Sequence, residues 1–278
     1  AVRNKGHEVS TVCKLLGIAR SNIIERLRRD GERPSRKPRH DDYQLVLQIK
    51  DIVAERPFYG YRRITAVLNR GRNDKINLKR VHRIMKQNDL LLSHPCRKPT
   101  RAHDGKVMTL SSNVRWCSDH FDIRCWNGDT VRVIFSLDTH DREILKWKVT
   151  TGGVTGEMVR DLMAESVEYR FGNVDRLPRP IQWLSDNGPA YTANETVAFG
   201  RMIGFEVCTT PAYSPESNGM AEAFVKTFKR DYIYPARLES AGKVIKMLAE
   251  FFEDYNENAP HKGLKLKSPR EYLRSVQL

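Results

Sequence analysis

The chain has 278 residues, of which 40% are hydrophobic, and a formal net charge of +14. These values are typical of a globular protein with two or three small domains. No apolar run approaches the length of a membrane span, and no secretory signal is visible. The five cysteines are scattered and form no CxxC pair, which argues against a disulfide framework or a thiolate zinc site. Together these features predict a protein of the reducing cytoplasm.

The excess positive charge lies in the first part of the chain. Residues 1–112 contain 26 Lys and Arg against 11 Asp and Glu, whereas residues 113–278 contain 22 against 23. Because neutralising nucleic-acid phosphates releases condensed counterions, a basic segment of this kind predicts binding to a polyanion. A basic surface that is merely solvated is the alternative interpretation.

Residues 1–33 are predicted to form a helix-turn-helix. Ser10 is expected to cap the first helix, and Gly17 is expected to make the turn. The second helix, over residues 22–29, carries Arg26 among several basic residues and is the expected recognition helix. An ordinary helical hairpin is the alternative interpretation.

Residues 34–92 are predicted to form a second helical DNA-binding domain, with helices at 43–55, 62–69 and 77–86. In the last of these helices, apolar residues recur at helical spacing and leave a basic face on the other side. That face suits DNA phosphates, although a solvated face is the alternative. The candidate DNA contacts in this domain are Arg62, Lys79, Arg80 and Arg83. Residues 93–113 contain two prolines and several basic residues, which predicts a basic linker.

The periodicity of the chain changes from residue 114 onward. Apolar and alternating runs predict strands at 114–121, 130–137, 144–150, 181–184 and 205–209. Helical patterns follow at 155–169, 194–203, 215–232 and 243–255. Three strands followed by alternating helices and strands predict an α/β domain over 114–235, in which a mixed sheet has helices on both faces. The remaining residues, 236–278, are expected to form a helical extension.

Three acidic residues of this α/β region are candidates for catalysis and metal binding. Asp119 lies on the first strand, Asp186 follows the fourth strand, and Glu222 lies early in a later helix, with 35 residues between Asp186 and Glu222. If the first and fourth strands are neighbours, Asp119 and Asp186 meet at the edge of the sheet. Hard carboxylate oxygens suit Mg²⁺ or Mn²⁺. Two such ions about 4 Å apart can activate the attacking oxygen of a phosphodiester exchange and stabilise the leaving oxygen.

The helix that carries Glu222 also carries candidate DNA contacts. Lys226 and Lys229 follow Glu222 at i+4 and i+7, beside an apolar stripe that can dock on the sheet. An isolated Glu–Lys pair at this spacing is by default only a surface pair. Asp122 is a weaker candidate ligand than Asp119, because no motif surrounds it.

Several motifs resemble those of IS3-family insertion-sequence transposases, in particular the IS2-type second reading frame. They are W-C-S-D at 116–119, L-S-D-N-G at 184–188, S-P-E-S-N-G at 214–219 with A-E at 221–222, F-V-K-T at 224–227, K-R-D-Y at 229–232 and S-P-R-E-Y-L at 268–273. Y-G-Y-R-R at 59–63 and K-R-V at 79–81 resemble the upstream helix-turn-helix region of the family. The resemblance covers almost the whole chain. It departs from the family at 261–266, where H-K-G-L-K-L stands in place of the usual H-x-x-L-G-Y.

The resemblance implies a DNA transposase with a retroviral-integrase-type catalytic core of RNase H-like fold. In such an enzyme Asp119, Asp186 and Glu222 form the catalytic triad, and they hold Mg²⁺ or Mn²⁺, with two ions expected. Lys229 matches a basic position that contacts DNA in these cores.

The same resemblance implies the partners of the protein. Arg230 and Asn218, which lie in the matching motifs, are further candidate DNA contacts. The expected DNA is the terminal inverted repeats of the element and its target, in the bacterial nucleoid, with several copies of the chain assembled on it. A nuclease that only hydrolyses DNA, and a DNA-binding regulator with an inactive core, are the rival interpretations.

Overall fold

The computed structural model describes residues 8–28, 42–93, 109–209 and 219–276. Asn218, the start of the helix expected at 215 and most of the expected linker lie outside these residues. The side chain of Arg26 is also outside the description. The chain divides into two compact units, Ala1–Leu45 and Val46–Leu278.

The first unit contains helices α1 (Val9–Leu16) and α2 (Arg20–Arg28), and Gly17 ends α1. Gly17 has the left-handed conformation, with φ at 60°, that often terminates a helix. The prediction that Ser10 caps α1 is wrong, because the helix begins at Val9 and Ser10 is its second residue. Glu8 is the N-cap residue, and the Ser10 hydroxyl donates a hydrogen bond to the Glu8 carboxylate at 3.0 Å.

The second unit begins with a helical module, defined as residues 46–93. It holds most of α3 (Asp42–Glu55) together with α4 (Tyr61–Asn69) and α5 (Leu78–Gln87). Asn77 fixes the start of α5, because its side chain accepts a hydrogen bond from the backbone N–H of Lys79 at 2.8 Å. The buried face of α5 consists of Val81, Ile84 and Met85.

A five-stranded sheet forms the centre of the second unit. Its strands are β1 (Arg115–Arg124), β2 (Thr130–Asp138), β3 (Ile144–Thr150), β4 (Ile181–Ser185) and β5 (Phe205–Thr209). They are arranged in the order β3-β2-β1-β4-β5. The first three strands form an antiparallel meander, β4 is parallel to β1, and β5 is parallel to β4. This is the strand order of the RNase H-like fold, and the predicted fold class is therefore confirmed.

Helices cover both faces of the sheet, as predicted. On one face lie α6 (Gly156–Phe171), the short helix α7 (Pro189–Thr192) and α8 (Asn194–Met202), whereas α9 (Gly219–Phe228) and α10 (Ala241–Asn258) lie on the other. Successive side chains of a strand point to opposite faces. Trp116 therefore packs in the core on the side of α6, and its neighbour Cys117 packs in the core on the side of α9 and α10.

The helix predicted to run to residue 232 changes its geometry at its end. After Phe228, residues Lys229–Ile233 form a π-helical segment, in which the Tyr234 N–H donates to the Lys229 carbonyl at 2.8 Å. Segments of this kind are rare and often occur at functional positions. We refer to Lys229–Ile233 as the π segment.

The C-terminal part contains α10, a 3₁₀ turn at Lys262–Leu264 and α11 (Pro269–Val276). Between α10 and α11, Lys265 and Leu266 have positive φ angles of 56° and 65°. Lys265 thus has a left-handed conformation that glycine adopts more easily. It lies in the segment where the sequence departs from the family motif. Within the residues that the structure describes, no helix has the length and apolar character needed to cross a membrane.

Candidate active site

The pairing of β1 with β4 brings Asp119 and Asp186 together. The two strands are parallel, and their last paired residues are Cys117 and Leu184. Asp119 and Asp186 each lie two positions beyond that pair, so they stand in register where β4 ends. One carboxylate oxygen of Asp119 lies within 4.8 Å of one carboxylate oxygen of Asp186. The condition set by the sequence, that the first and fourth strands are neighbours, is met.

Local hydrogen bonds orient both carboxylates. Asp119 Oδ1 accepts the backbone N–H of His120 at 2.7 Å, and Asp186 Oδ1 accepts the backbone N–H of Gly188 at 3.0 Å. A Cβ atom at Gly188 would lie 3.0 Å from Asp186 Oδ1, so a larger residue there would require the Asp186 side chain to shift. The Asp119 side chain is 18% exposed, which leaves it partly open to a ligand.

A hydrogen bond beneath the carboxylates joins β1 to α7. The Ser118 hydroxyl donates to the Tyr191 hydroxyl at 3.2 Å, and both side chains are buried. Burial raises the pKa of Tyr191 well above its ordinary value, so the phenol stays neutral. This contact holds the strand that carries Asp119 against the helix that follows Asp186.

Glu222 lies in the first turn of α9, where its side chain is exposed. The helix packs on the sheet through Ala221 and Phe224, and the Phe224 ring centroid is 4.5 Å from that of Phe135. Glu222 is not among the residues whose ligand atoms all lie within 4.8 Å of one another. Its negative charge nevertheless contributes to the raised pKa of Asp119, so it lies within electrostatic reach of the pair.

The pKa of Asp119 is raised from 3.8 to about 6. Burial is the largest cause, because it disfavours the charged form. The hydrogen bond from His120 acts in the opposite direction, and the negative charges of Asp186 and Glu222 raise the pKa further. A cation between these carboxylates would favour their ionised forms, because it adds an attractive charge.

His120 is a member of the group that the sequence analysis did not identify. A ring nitrogen of His120 lies within 4.8 Å of the ligand atoms of Asp119 and Asp186, and the distance from its Nδ1 to Asp119 Oδ1 is 3.9 Å. The side chain is 43% exposed. No motif marks this histidine, and only its position next to Asp119 could have suggested it.

The donor atoms fit a hard divalent cation. Asp119 and Asp186 offer the oxygen donors that Mg²⁺ and Mn²⁺ prefer, and the nitrogen of His120 suits Mn²⁺ better than Mg²⁺. The nearby thiol of Cys117 belongs to the core, and burial raises its pKa, so it does not act as a thiolate donor. Within the described ranges, these three residues are the one group of this composition that could hold a metal ion.

The basic residues after Glu222 lie in different environments. Lys226 is exposed on α9. The ammonium group of Lys229 lies 5.5 Å from the ring centroid of Phe121 on β1, and burial lowers its pKa. Arg230 binds the carboxylate of Asp231 through Nε at 2.6 Å and through Nη2 at 2.9 Å. Its guanidinium therefore already has a partner within the protein.

The predicted DNA contacts of the helical module lie on α4 and α5. Arg62 and Lys79 are exposed, and the Arg62 guanidinium carbon lies 5.6 Å from the Tyr61 ring centroid. Arg80 and Arg83 are half-buried, and Arg83 Nη1 donates to Gln87 Oε1 at 3.1 Å. The role of these four residues in DNA binding stays a prediction.

Family models match these same regions of the chain. The integrase core domain model matches residues 110–215, a second integrase core domain model matches 204–269, and an HTH-like domain model matches 40–99. The matches and the fold define the class of the protein, a polynucleotidyl transferase of the DDE type with an integrase-type catalytic core.

The transposase InsD of insertion element IS2A/D/F/H/I/K from Escherichia coli is 49% identical over 278 residues, which cover 97% of this chain and 92% of that relative. The chain therefore belongs to the family of InsD transposases of IS2 insertion elements, as its motifs predicted. A chain of the simian T-cell lymphotropic virus intasome is 16% identical, with a TM-score of 0.49 over 81% of this chain and 73% of that one. The catalytic domain of Mos1 transposase, in a structure with raltegravir and Mg, is 17% identical, with a TM-score of 0.44 over 59% and 77%.

Proposed function

We propose that this transposase binds the terminal inverted repeats of its element, cleaves the 3′ ends and joins them to target DNA. Asp119, Asp186 and Glu222 are the catalytic carboxylates of this proposal. The observation that carries it is the meeting of Asp119 and Asp186 where β4 ends, with the charge of Glu222 within electrostatic reach. Metal-assisted phosphodiester exchange uses negatively charged ligands grouped in this way.

The three carboxylates would hold Mg²⁺ or Mn²⁺, and two ions are proposed. When bound, the metal supplies Lewis-acid polarisation of the scissile phosphate and an activated attacking oxygen. The chain supplies the geometry. The backbone N–H groups of His120 and Gly188 orient Asp119 and Asp186, and the packing of α9 on the sheet fixes Glu222. Because these carboxylates need no covalent bond to DNA, the same site can serve water in the first step and the freed 3′-OH in the second.

The proposed DNA contacts surround this site and extend over the helical regions. Lys226 lies one turn after Glu222 and is exposed, so it can neutralise a phosphate beside the scissile bond. Regions 1–33 and 34–92 are proposed as DNA-binding domains, joined by the linker 93–113 to the catalytic core 114–235 and the extension 236–278. We further propose that the protein acts at the nucleoid as a homo-oligomer on DNA.

A strand-cleavage assay tests the assignment of the carboxylates. The substrate is a labelled duplex with the terminal sequence of the element that encodes this chain, incubated with Mg²⁺ or Mn²⁺. Asp119→Asn, Asp186→Asn and Glu222→Gln are each expected to reduce cleavage by about 10³-fold or more, because each removes a charged ligand from the site. Asp122→Asn is the matched control, since Asp122 lies on the same strand but is 46% exposed and lies 3.6 Å from Arg132. Cleavage retained by any of the three variants would overturn the assignment.

The products of the same assay separate the proposal from its rivals. Joined products that carry the element's 3′ end in a second duplex identify a transposase that performs strand transfer. Hydrolysis without joined products would identify a nuclease, and a footprint on the terminal sequence without cleavage would identify a regulator. Lys226→Ala is expected to weaken DNA binding equally for all sequences and to reduce the salt slope of log K by about 1.

A further inference from the structure

Three arginines of the helical module each bind a carboxylate elsewhere in the second unit. We call them the arginine clamp, and the pairs are Arg56–Asp254 at 2.7 Å, Arg63–Asp231 at 2.7 Å and Arg70–Glu271 at 2.5 Å. The partners lie on α10, in the π segment and on α11. The paired residues are 198, 168 and 201 positions apart in the chain. The clamp therefore joins parts of the fold that are distant in sequence.

The pair at the π segment is the most buried of the three. The Asp231 side chain is 1% exposed, and the Arg63 side chain is 16% exposed. Arg230 binds both oxygens of Asp231, while Arg63 shares Oδ2 and places its guanidinium carbon 3.6 Å from the Tyr59 ring centroid. A buried carboxylate that loses such a partner keeps its desolvation cost without the compensating attraction.

The next residue of the π segment supports a second link of the clamp. The Tyr232 hydroxyl donates to Asp254 Oδ2 at 2.7 Å, and Arg56 Nη2 binds the other oxygen of Asp254. The Arg56 guanidinium carbon also lies 5.5 Å from the Tyr232 ring centroid. The π segment thus contributes to two of the three links, whereas the pair of Arg70 with Glu271 is more exposed and should contribute less.

The π segment directly continues α9, the helix that carries Glu222. On the side of the module, Arg63 is preceded by Arg62, an exposed and predicted DNA contact. We propose that Asp231 is a positioning residue, which holds the helical module against the helix of Glu222. This inference rests on the proposed function: a DNA end bound by the module then lies at a fixed distance from the catalytic carboxylates, and one phosphate is cleaved.

Hydrogen exchange of the full-length protein tests the physical link without any cleavage. In Asp231→Asn, exchange is expected to rise about tenfold both in α4 and in the π segment, while β1, β2 and β3 keep their protection. Arg63→Gln should give the same pattern. Because this variant leaves Asp231 paired with Arg230, it still tests the link between the module and the π segment if Asp231→Asn unfolds the whole protein. Lys243→Ala is the control, because it removes only an exposed pair with Glu239. Unchanged exchange in the π segment of Arg63→Gln would overturn the link.

Mapping the cleaved phosphate tests the positioning role, because a residue with a purely structural role would not change which phosphate is cleaved. The wild type and Lys243→Ala should cleave the terminal duplex at one phosphate. Arg63→Gln and Asp231→Asn should spread the cuts over neighbouring phosphates while their DNA affinity stays within about threefold, because the predicted phosphate contacts are retained. A single cut site in both variants would overturn the proposal. If the wild type does not cleave at all, the proposed function fails, and hydrogen exchange still decides whether the clamp exists.

Discussion

The raised pKa of Asp119 leads to a prediction about stability in the absence of metal. Below about pH 3 the Asp119 side chain is protonated in both the folded and the unfolded chain, so its ionisation has no effect on stability. Between 3.8 and about 6 the unfolded chain ionises it first, because the pKa in the folded protein is about 6. The unfolded state then binds fewer protons than the folded state, and the free energy of unfolding falls as pH rises through this window. Above it the destabilisation is complete.

The magnitude follows from the size of the pKa change. A rise from 3.8 to about 6 is about two pKa units, and at about 1.4 kcal/mol per unit the ionised carboxylate destabilises the metal-free protein by up to about 3 kcal/mol. Asp119→Asn removes this charge and keeps an oxygen that can accept the His120 N–H. We therefore expect the metal-free variant to be more stable than the wild type at pH 8 by roughly 1–3 kcal/mol, and about equal to it at about pH 3.

Urea unfolding in EDTA measures this difference, with tryptophan fluorescence as the probe, since Trp116 and Trp183 are fully buried on the sheet. Added Mg²⁺ or Mn²⁺ should stabilise the wild type by about 2.7 kcal/mol at a hundred times its Kd. The same addition should stabilise Asp119→Asn much less. Asp122→Asn, which neutralises an exposed carboxylate on the same strand, should change stability by no more than about 0.5 kcal/mol.

One result would refute the reasoning. If Asp119→Asn is no more stable than the wild type at pH 8 in EDTA, and if their difference does not change between about pH 3 and pH 8, then the pKa of Asp119 is not raised in the metal-free protein. Equal stabilisation of both proteins by Mg²⁺ would show in addition that Asp119 does not bind the ion.

Three further predictions concern the packing that supports the site, and each is checked by thermal or urea unfolding of the full-length protein. Lys265→Gly should raise the free energy of unfolding by roughly 0.5–1 kcal/mol, because φ is 56° at this position and glycine adopts that conformation without strain; a lower unfolding midpoint would contradict this. Phe228→Ala should lower stability by about 3–5 kcal/mol, because the ring is fully buried between α9, α10 and β1; a loss below about 1 kcal/mol would show that the core closes the cavity. Gly200→Ala should lower stability by about 1–3 kcal/mol, because the new Cβ would lie 2.8 Å from Val207 Cγ2; an unchanged midpoint would show that β5 moves away at little cost.

The local pattern of the sequence was sufficient for most of the fold. The strand of residues 144–150 was predicted with the bounds that the structure gives to β3, and the helix predicted at 155–169 is α6, which begins one residue later and ends two residues later. Short-range periodicity of 2 or 3.6 encodes such elements because each must bury one face. The short helix α7 and the π segment were not predicted. Both depend on tertiary contacts, which the local periodicity of the residues does not encode.

Less of the site than of the fold could be predicted from the sequence. The sequence identified Asp119 and Asp186, because each lies in a motif at the end or in the middle of a strand. It did not identify His120, whose proximity to Asp186 arises only because β1 and β4 pair in a particular register. It assigned Arg230 to DNA without showing that Asp231 already binds its guanidinium.

By itself, the sequence determined the type and order of the helices and strands, the basic character of the N-terminal region and the three acidic candidates. These properties depend on the residue types within a short window and on their spacing. Only the tertiary structure decided which carboxylates meet, where His120 lies and how the arginine clamp joins the helical module to the helix of Glu222. Such contacts link residues up to 201 positions apart, and no local pattern encodes them, because their geometry exists only after the sheet and the helices have packed.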